Sequence, residues 1–223
     1  MTHTRLFNEV TLVCEANSWI LPYVEILNSK LKEKGVKSCV IADYSKIQSG
    51  EAVFFLGCTT ICPDKFLVRN PFNFIVHESA LPKGRGFAPV SWSILDGHDK
   101  LVISLIEALT QVDCGKIYSQ YTVPLRGNEL CAELREIQGL NTIRICLDFV
   151  LNGSLERGIE QQGSPTYYRR RTPADSELDV HKSIAEQFNL LRIVDNNRYP
   201  AFIIYKGRKY YLRIEDVGSF YNE

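Results

Sequence analysis

The chain has 223 residues, room for one good-sized domain or one domain with an appendage. Apolar residues make up 45% and charged residues 23%, the balance of a globular protein, and 26 basic side chains offset 26 acidic ones. Zero net charge offers no positive field to draw in nucleic acid, and no apolar run approaches the ~18 residues of a membrane span. Met1-Thr-His-Thr-Arg5 lacks the apolar core of a signal peptide. Seven cysteines, at 14, 39, 58, 62, 114, 131 and 146, include no Cys-x-x-Cys pair. Neither disulfides nor structural zinc are expected, and a reducing cytoplasm fits. Cys58 and Cys62 are spaced only loosely for a metal, and none is expected.

Val10-Thr-Leu-Val-Cys14 is a short apolar run of the buried-strand kind. Asn17-Ser18 is placed to cap a helix from Trp19 to Lys34, with apolar residues at 20, 24, 27 and 31 and Gly35 as its stop. Ser38–Ala42 and Ala52–Leu56 read as the next strands, Pro63–Val68 as a short helix, and Phe72–Val76 as a strand ending at His77. This alternation predicts a parallel sheet covered on both faces. A short helix at Pro89–Leu95 follows, then strands at 101–106 and 116–123 separated by the turn-rich Gln111–Gly115. Asn128 is expected to cap a helix running to Leu151 with apolar residues at 130, 134, 137, 140, 143, 147 and 150. The composition changes at Asn152: residues 153–179 read as an extended linker, Ser183–Val194 as a helix, and Tyr199–Ile214 as a hairpin turning at Lys206-Gly207. Gly-x-Gly-x-x-Gly and Walker signatures are absent from the sequence.

Four stretches are candidates for chemistry. His77 ends a strand where open α/β sheets place reactive groups, and imidazole exchanges protons near neutral pH; a polar cap on the strand is the ordinary alternative. In the loop after it, Gly84 and Gly86 permit close backbone approach to a ligand, while Lys83 and Arg85 could meet an anion or simply be solvated. Asp113 sits in a tight turn, either as turn chemistry or as a carboxylate that orients His77. Gly57–Pro63 follows the third strand and should lie beside the His77 loop, with backbone groups to offer a flat heterocycle or as a plain connection. Arg169–Arg171 invite a phosphate, although pairing with Asp175 or Glu177 is commoner.

The set His77-x-Ser79-x-Leu81-Pro82, Arg85-Gly86 and Ala88-Pro89, with Val112-Asp113-Cys-Gly115-Lys-Ile117, resembles the active-site signature of the 10-formyltetrahydrofolate-dependent formyltransferases. Arg170–Asp175, the helix near Ser183, Tyr199–Phe202 and Gly207–Lys209 are similar to the tail of the sugar N-formyltransferases in that family. The resemblance implies an α/β, Rossmann-like catalytic domain over 1–152 and a linker with an α+β appendage over 153–223. It implies a formyl transfer from the co-substrate 10-formyltetrahydrofolate to the amine of a nucleotide-linked amino sugar, as in bacterial surface-sugar pathways, possible pseudaminic-acid types among them. His77 and Asp113 would be catalytic; Gly57, Cys58, Thr59, Ile61, Leu109 and Val112 would form the folate pocket; Lys83, Gly84 and Arg85 would contact the sugar or its diphosphate. A cytoplasmic homodimer without nucleic-acid or membrane partners is the accompanying expectation. Methionyl-tRNA formyltransferase is disfavoured because that protein is longer and carries an RNA-binding domain.

One position departs from the signature. The family places Asn two residues before the histidine, where its amide helps hold the formyl oxygen; here that residue is Ile75. Asn73 shares the strand face but lies about 6.6 Å farther back, so it could substitute only through a bulge. Losing such a donor typically costs about a hundred- to a thousand-fold in rate. A weak or inactive ligand-binding relative, or an enzyme for a non-sugar amine, is therefore the alternative.

Overall fold

The computed structural model describes residues 5–218. Its first part alternates as β1 (Glu9–Val13), α1 (Leu21–Glu33), β2 (Lys37–Ile41), β3 (Ala52–Phe55), α2 (Asp64–Leu67) and β4 (Phe72–His77). Next come β5 (Arg85–Gly86), α3 (Pro89–Leu95), β6 (Lys100–Glu107), β7 (Ile117–Pro124) and α4 (Cys131–Asn152). The remainder holds β8 (Tyr167–Tyr168), α5 (Phe188–Arg192), β9 (Ala201–Tyr205) and β10 (Arg208–Leu212). Among the described residues no helix is long and apolar enough to cross a membrane.

Six strands make one sheet in the order β2-β1-β3-β4-β6-β7. The pairings among β1 to β4 are parallel, while β6 is antiparallel to both β4 and β7. The sheet is thus mostly parallel, with an antiparallel flank. Its central strands are covered on both faces, whereas the edge strands β2 and β7 are largely exposed or half-buried. On one face, α1 and α4 pack over Leu12, Phe54, Phe74 and Leu105. Phe74 lies there 5.1 Å from the Phe54 ring and 5.0 Å from Phe149, centre to centre. The other face holds a smaller cluster of Val13, Ile47, Val53, Phe55, Cys62 and Ala108.

Two expected helix caps are replaced. The first helix starts at Leu21 with no side-chain cap and Pro22 in its first turn; the Ser18 hydroxyl instead donates to Gly57 O at 3.4 Å. The long helix starts at Cys131 rather than after Asn128, because the Glu133 carboxylate reaches back to accept the Leu130 N–H at 2.9 Å. Leu140, expected in its apolar stripe, is exposed. The helix expected over Ser183–Val194 is a 3-10 turn at Ala185–Gln187 followed by the short α5. There the Gln187 amide donates to the carbonyls of Asp179 and Lys182, competing with regular helix. The β9–β10 hairpin turns at Lys206-Gly207, both with positive φ, the geometry that matches strand twist.

The 153–179 stretch is extended but not loose. β8 pairs in parallel with β5, the Trp92 indole donates to Arg169 O at 2.8 Å, and the Tyr168 hydroxyl donates to Asp96 at 2.7 Å. Farther on, Arg192 on α5 lies 3.4 Å from Glu129, just before α4, and both are buried. Burial pushes the Glu129 carboxyl up, but N–H donors from Arg126 and Gly127 and the Arg192 charge outweigh it and hold the group below its ordinary range. Such a depressed carboxyl contributes stability above its unfolded value of about 4.3, and that stability is lost as pH falls through the lower folded value. Arg192→Ala should cost about 3–5 kcal/mol in urea unfolding, since it strands a buried charge. Glu129→Gln should flatten the decline of stability below about pH 4.3; an unchanged acid limb would contradict this assignment.

Candidate functional site

His77 is the last residue of β4, in the middle of the sheet, and its side chain is buried. Beside it opens a cavity of about 530 Å³, walled by the loop after β3, the end of β4, the segment after β6 and part of the C-terminal region. The β6 strand runs away from His77: its end, Glu107, pairs near Phe74. Residues 108–113 then return across the sheet face, with the Ala108 N–H on Asn73 O at 2.8 Å, and deliver Asp113. The Asp113 Oδ2 atom lies 3.5 Å from His77 Nδ1 and accepts the Gly86 N–H at 2.8 Å. On the other side of the ring, His77 Nε2 is 2.8 Å from Gly84 O; since a carbonyl only accepts, that nitrogen donates.

Gln161 completes this arrangement. Its amide nitrogen donates to Asp113 O and to Gly115 O, each at 2.8 Å, and its oxygen accepts from Arg85 Nε and Nη2 at 3.2 and 2.7 Å. Asp113 has φ +49°, a left-handed conformation that a non-glycine residue adopts at a cost, and Gln161 ties that strained turn to the His77 loop. Gln161 lies in the polar linker with no motif around it; no sequence signal singles it out.

The residues proposed for a folate pocket, Gly57, Cys58, Thr59, Ile61, Leu109 and Val112, all line the cavity together with His77 and Asp113. Ile61, Leu109 and Val112 are 56%, 42% and 37% exposed, an apolar rim open to solvent. The 57–63 loop is less free to donate than its sequence suggested. The Thr59 N–H and hydroxyl are both taken by Glu15, at 2.7 and 2.8 Å, and Arg170 donates to Thr59 O at 3.1 Å. Burial pushes the Cys58 thiol up to about 12, so it stands protonated at neutral pH.

Lys83, Gly84 and Arg85 do not line the cavity. Lys83 points to solvent, and the buried Arg85 guanidinium is spent on Gln161 and the Tyr167 hydroxyl. Gly84 contributes its carbonyl to His77 rather than space for a ligand. A Cβ on Gly84 would fall 2.8 Å from the Tyr168 ring, and one on Gly86 would collide with Tyr168 O. What these glycines admit is the β8 backbone. Of the three arginines, Arg169 pairs with Asp175, Arg170 stacks over Phe87, and Arg171 lines the cavity, held by Asp175 O at 3.1 Å.

Ile75 also lines the cavity, two residues before His77. The β3–β4 ladder is regular through Phe55↔Ile75, without a bulge. The Asn73 amide nitrogen donates to Leu67 O and Asn70 O, at 3.0 and 3.1 Å, and its side chain is outside this cavity. Asn73 therefore does not stand in for the missing amide.

No family model matches the sequence. Solved structures do match. A methionyl-tRNA formyltransferase from Clostridium thermocellum superposes with a TM-score of 0.77 at 20% identity, over 96% of this chain and 94% of that one. The chain has a formyltransferase fold. A sugar N-formyltransferase from a Shewanella species gives 0.70 at 16% identity, over 94% of this chain and 99% of that one. HypX from Aquifex aeolicus, in complex with tetrahydrofolic acid, gives 0.71 at 15% identity over 96% of this chain but only 38% of its own length. The clostridial structure is matched almost end to end, so length does not separate this chain from methionyl-tRNA formyltransferases, contrary to the expectation from sequence.

The Gln161 clamp is directly testable. Gln161→Ala would take a donor from two carbonyls and an acceptor from Arg85 Nε and Nη2, at about 1–3 kcal/mol for a buried group left without its partner. The Gly86 amide, bonded to the side chain of the residue Gln161 holds, should then exchange with deuterium faster. Unchanged exchange and unchanged stability would show that Asp113 holds its place without the clamp.

Proposed function

We propose that this protein is an N-formyltransferase that moves a formyl group from 10-formyltetrahydrofolate to the amine of a nucleotide-linked amino sugar. The observation that carries the reading is the buried His77–Asp113 pair at the wall of an apolar-rimmed cavity, within a formyltransferase fold. The exposed Ile61, Leu109 and Val112 are suited to the faces of a flat pterin, and the cavity size is that of a small-molecule site. The tail's similarity to sugar N-formyltransferases supports a sugar amine as the acceptor, in keeping with the Shewanella structure.

In this reading His77 is the group that meets the formyl oxygen. Its Nε2 hydrogen, lodged on Gly84 O in the structure, would be redirected to the oxygen as negative charge develops there, and later to the leaving folate nitrogen. Asp113 fixes the ring and balances its charge, while Gly86 N–H and Gln161 fix Asp113. The folate supplies the formyl carbon; the chain supplies position and proton movement. With Ile75 in place of an amide, fewer donors face the oxygen, and a slow enzyme is the consequence. A homodimer through the C-terminal hairpin is part of the same reading, supported by the exposed Ile204, Tyr205 and Tyr211.

The test is release of tetrahydrofolate on incubation with 10-formyltetrahydrofolate and a panel of nucleotide-linked amino sugars. Turnover is expected with at least one sugar. Folate binding without turnover on any of them would sink this function and favour a ligand-binding protein instead. His77→Ala should remove turnover, and an unchanged rate would refute its catalytic role. Ile75→Asn should raise the rate, by up to about a hundred- to a thousand-fold if the amide reaches the oxygen. A fall would mean that another group already fills that position.

A further inference from the structure

Three carboxylates line the cavity: Glu78, Asp113 and Asp195. Two of them are committed. Asp113 accepts the Gly86 N–H and faces His77. Asp195 pairs with Arg135 at 2.8 Å and accepts the N–H groups of Asn197 and Arg198 at 2.9 and 3.1 Å. Glu78 is different. Among the described residues its one hydrogen-bond donor is its own backbone N–H, and this half-buried residue lines the cavity directly after His77.

A free carboxylate in such a wall needs a cationic partner to offset its desolvation. Among the described residues neither arginine of the cavity wall pairs with it: Arg135 is on Asp195, and Arg171 donates to Asp175 O and leaves its Nε unpaired. An acceptor amine arrives as an ammonium ion near neutral pH, and it must attack the carbon whose oxygen His77 would meet. The group that receives it therefore belongs beside His77.

We propose that Glu78 is the acceptor-amine site: it binds the ammonium ion and takes one proton from it, freeing the lone pair for attack. The inference rests on the formyl-transfer reading for its chemistry. The step balances as follows. The ammonium gives one proton to Glu78; the amine nitrogen bonds the formyl carbon; the bond from that carbon to the folate nitrogen breaks. The His77 Nε2 hydrogen goes to the folate nitrogen, the second amine proton replaces it on His77, and Glu78 returns its proton to solvent. Burial pushes the Glu78 carboxyl above the ordinary carboxylate range, with Asp113 adding and His77 opposing, which moves it toward the pH at which a base accepts protons effectively. The other titratable groups facing the cavity are Arg171, Tyr199 and the Arg135–Asp195 pair, with Cys58, Cys62, Cys131 and Tyr44 held neutral by upward shifts.

Two measurements on the full chain separate this inference from the function it builds on. The first is binding of D-glucosamine and of N-acetyl-D-glucosamine at pH 7.5, followed by NMR. Wild type should favour the amine by about ten-fold or more, and Glu78→Gln should lose that preference. Equal binding of the two sugars by wild type, or a preference kept by Glu78→Gln, overturns the proposal. The second uses whichever nucleotide-linked amino sugar is formylated. Glu78→Gln should lower kcat by about a hundred-fold or more, raise KM and erase the acid limb of the kcat/KM profile, with partial rescue by Glu78→Asp. If wild type turns over while Glu78→Gln keeps its rate and acid limb, the Glu78 assignment falls and formyl transfer stands. If no sugar is formylated but amine preference depends on Glu78, formyl transfer falls and the amine site stands.

Discussion

The Asp113 carboxylate is shared between the His77 ring and the Gly86 N–H, and the site is arranged around that sharing. One oxygen thereby joins three stretches that are far apart in sequence: the end of β4, the loop after it and the turn after β6. Burying a carboxylate is costly unless it is hydrogen-bonded and faces positive charge or dipoles, so each partner restrains the others. Gln161 extends the restraint by holding both the Asp113 backbone and Arg85. The linker from which it comes is thus part of the wall.

The same loop explains why its charges do not serve as the sequence suggested. Positive φ at Gly84 and Gly86 folds the chain tightly enough for β8 to pair with β5, and that pairing draws Arg85 inward to Gln161 and Tyr167. Lys83 is left in solvent. Polarity inside the cavity comes instead from Glu78, from Arg171 and from the Arg135–Asp195 pair, contributed by β4's end, the C-terminal segment and α4.

Ile75 gives the cavity an apolar wall where an amide would be expected from the signature. The regular ladder beside it keeps Asn73 at the far pleat, bound to the turn after α2. Under formyl transfer, stabilisation of the oxygen then falls on His77, whose Nε2 hydrogen has a competing acceptor in Gly84 O. A site with one strong donor instead of two is a slower site, but it remains one that can act.

Much of the fold was legible in the residues. Continuous apolar strands such as Val10–Cys14 and Ala52–Leu56 are two-faced by composition, and the spacing of Val24, Leu27 and Leu31 marks the buried side of α1. His77 and Asp113 were visible too, since each lies in a local motif. The antiparallel direction of β6, the service of Glu133 as a cap and the breaking of the Ser183 helix were not, because each depends on a competition between local bonds of similar strength. The sequence by itself determined which residues are apolar, which turns need glycine and where a histidine ends a strand, because those follow from local sterics and periodicity. Only the tertiary structure decided that Gln161 clamps Asp113, that Arg85 is consumed internally and that Glu78 stands unpaired beside His77. Hydrogen-bond partners across 48 and 76 residues of separation are set by packing, and no local pattern encodes them.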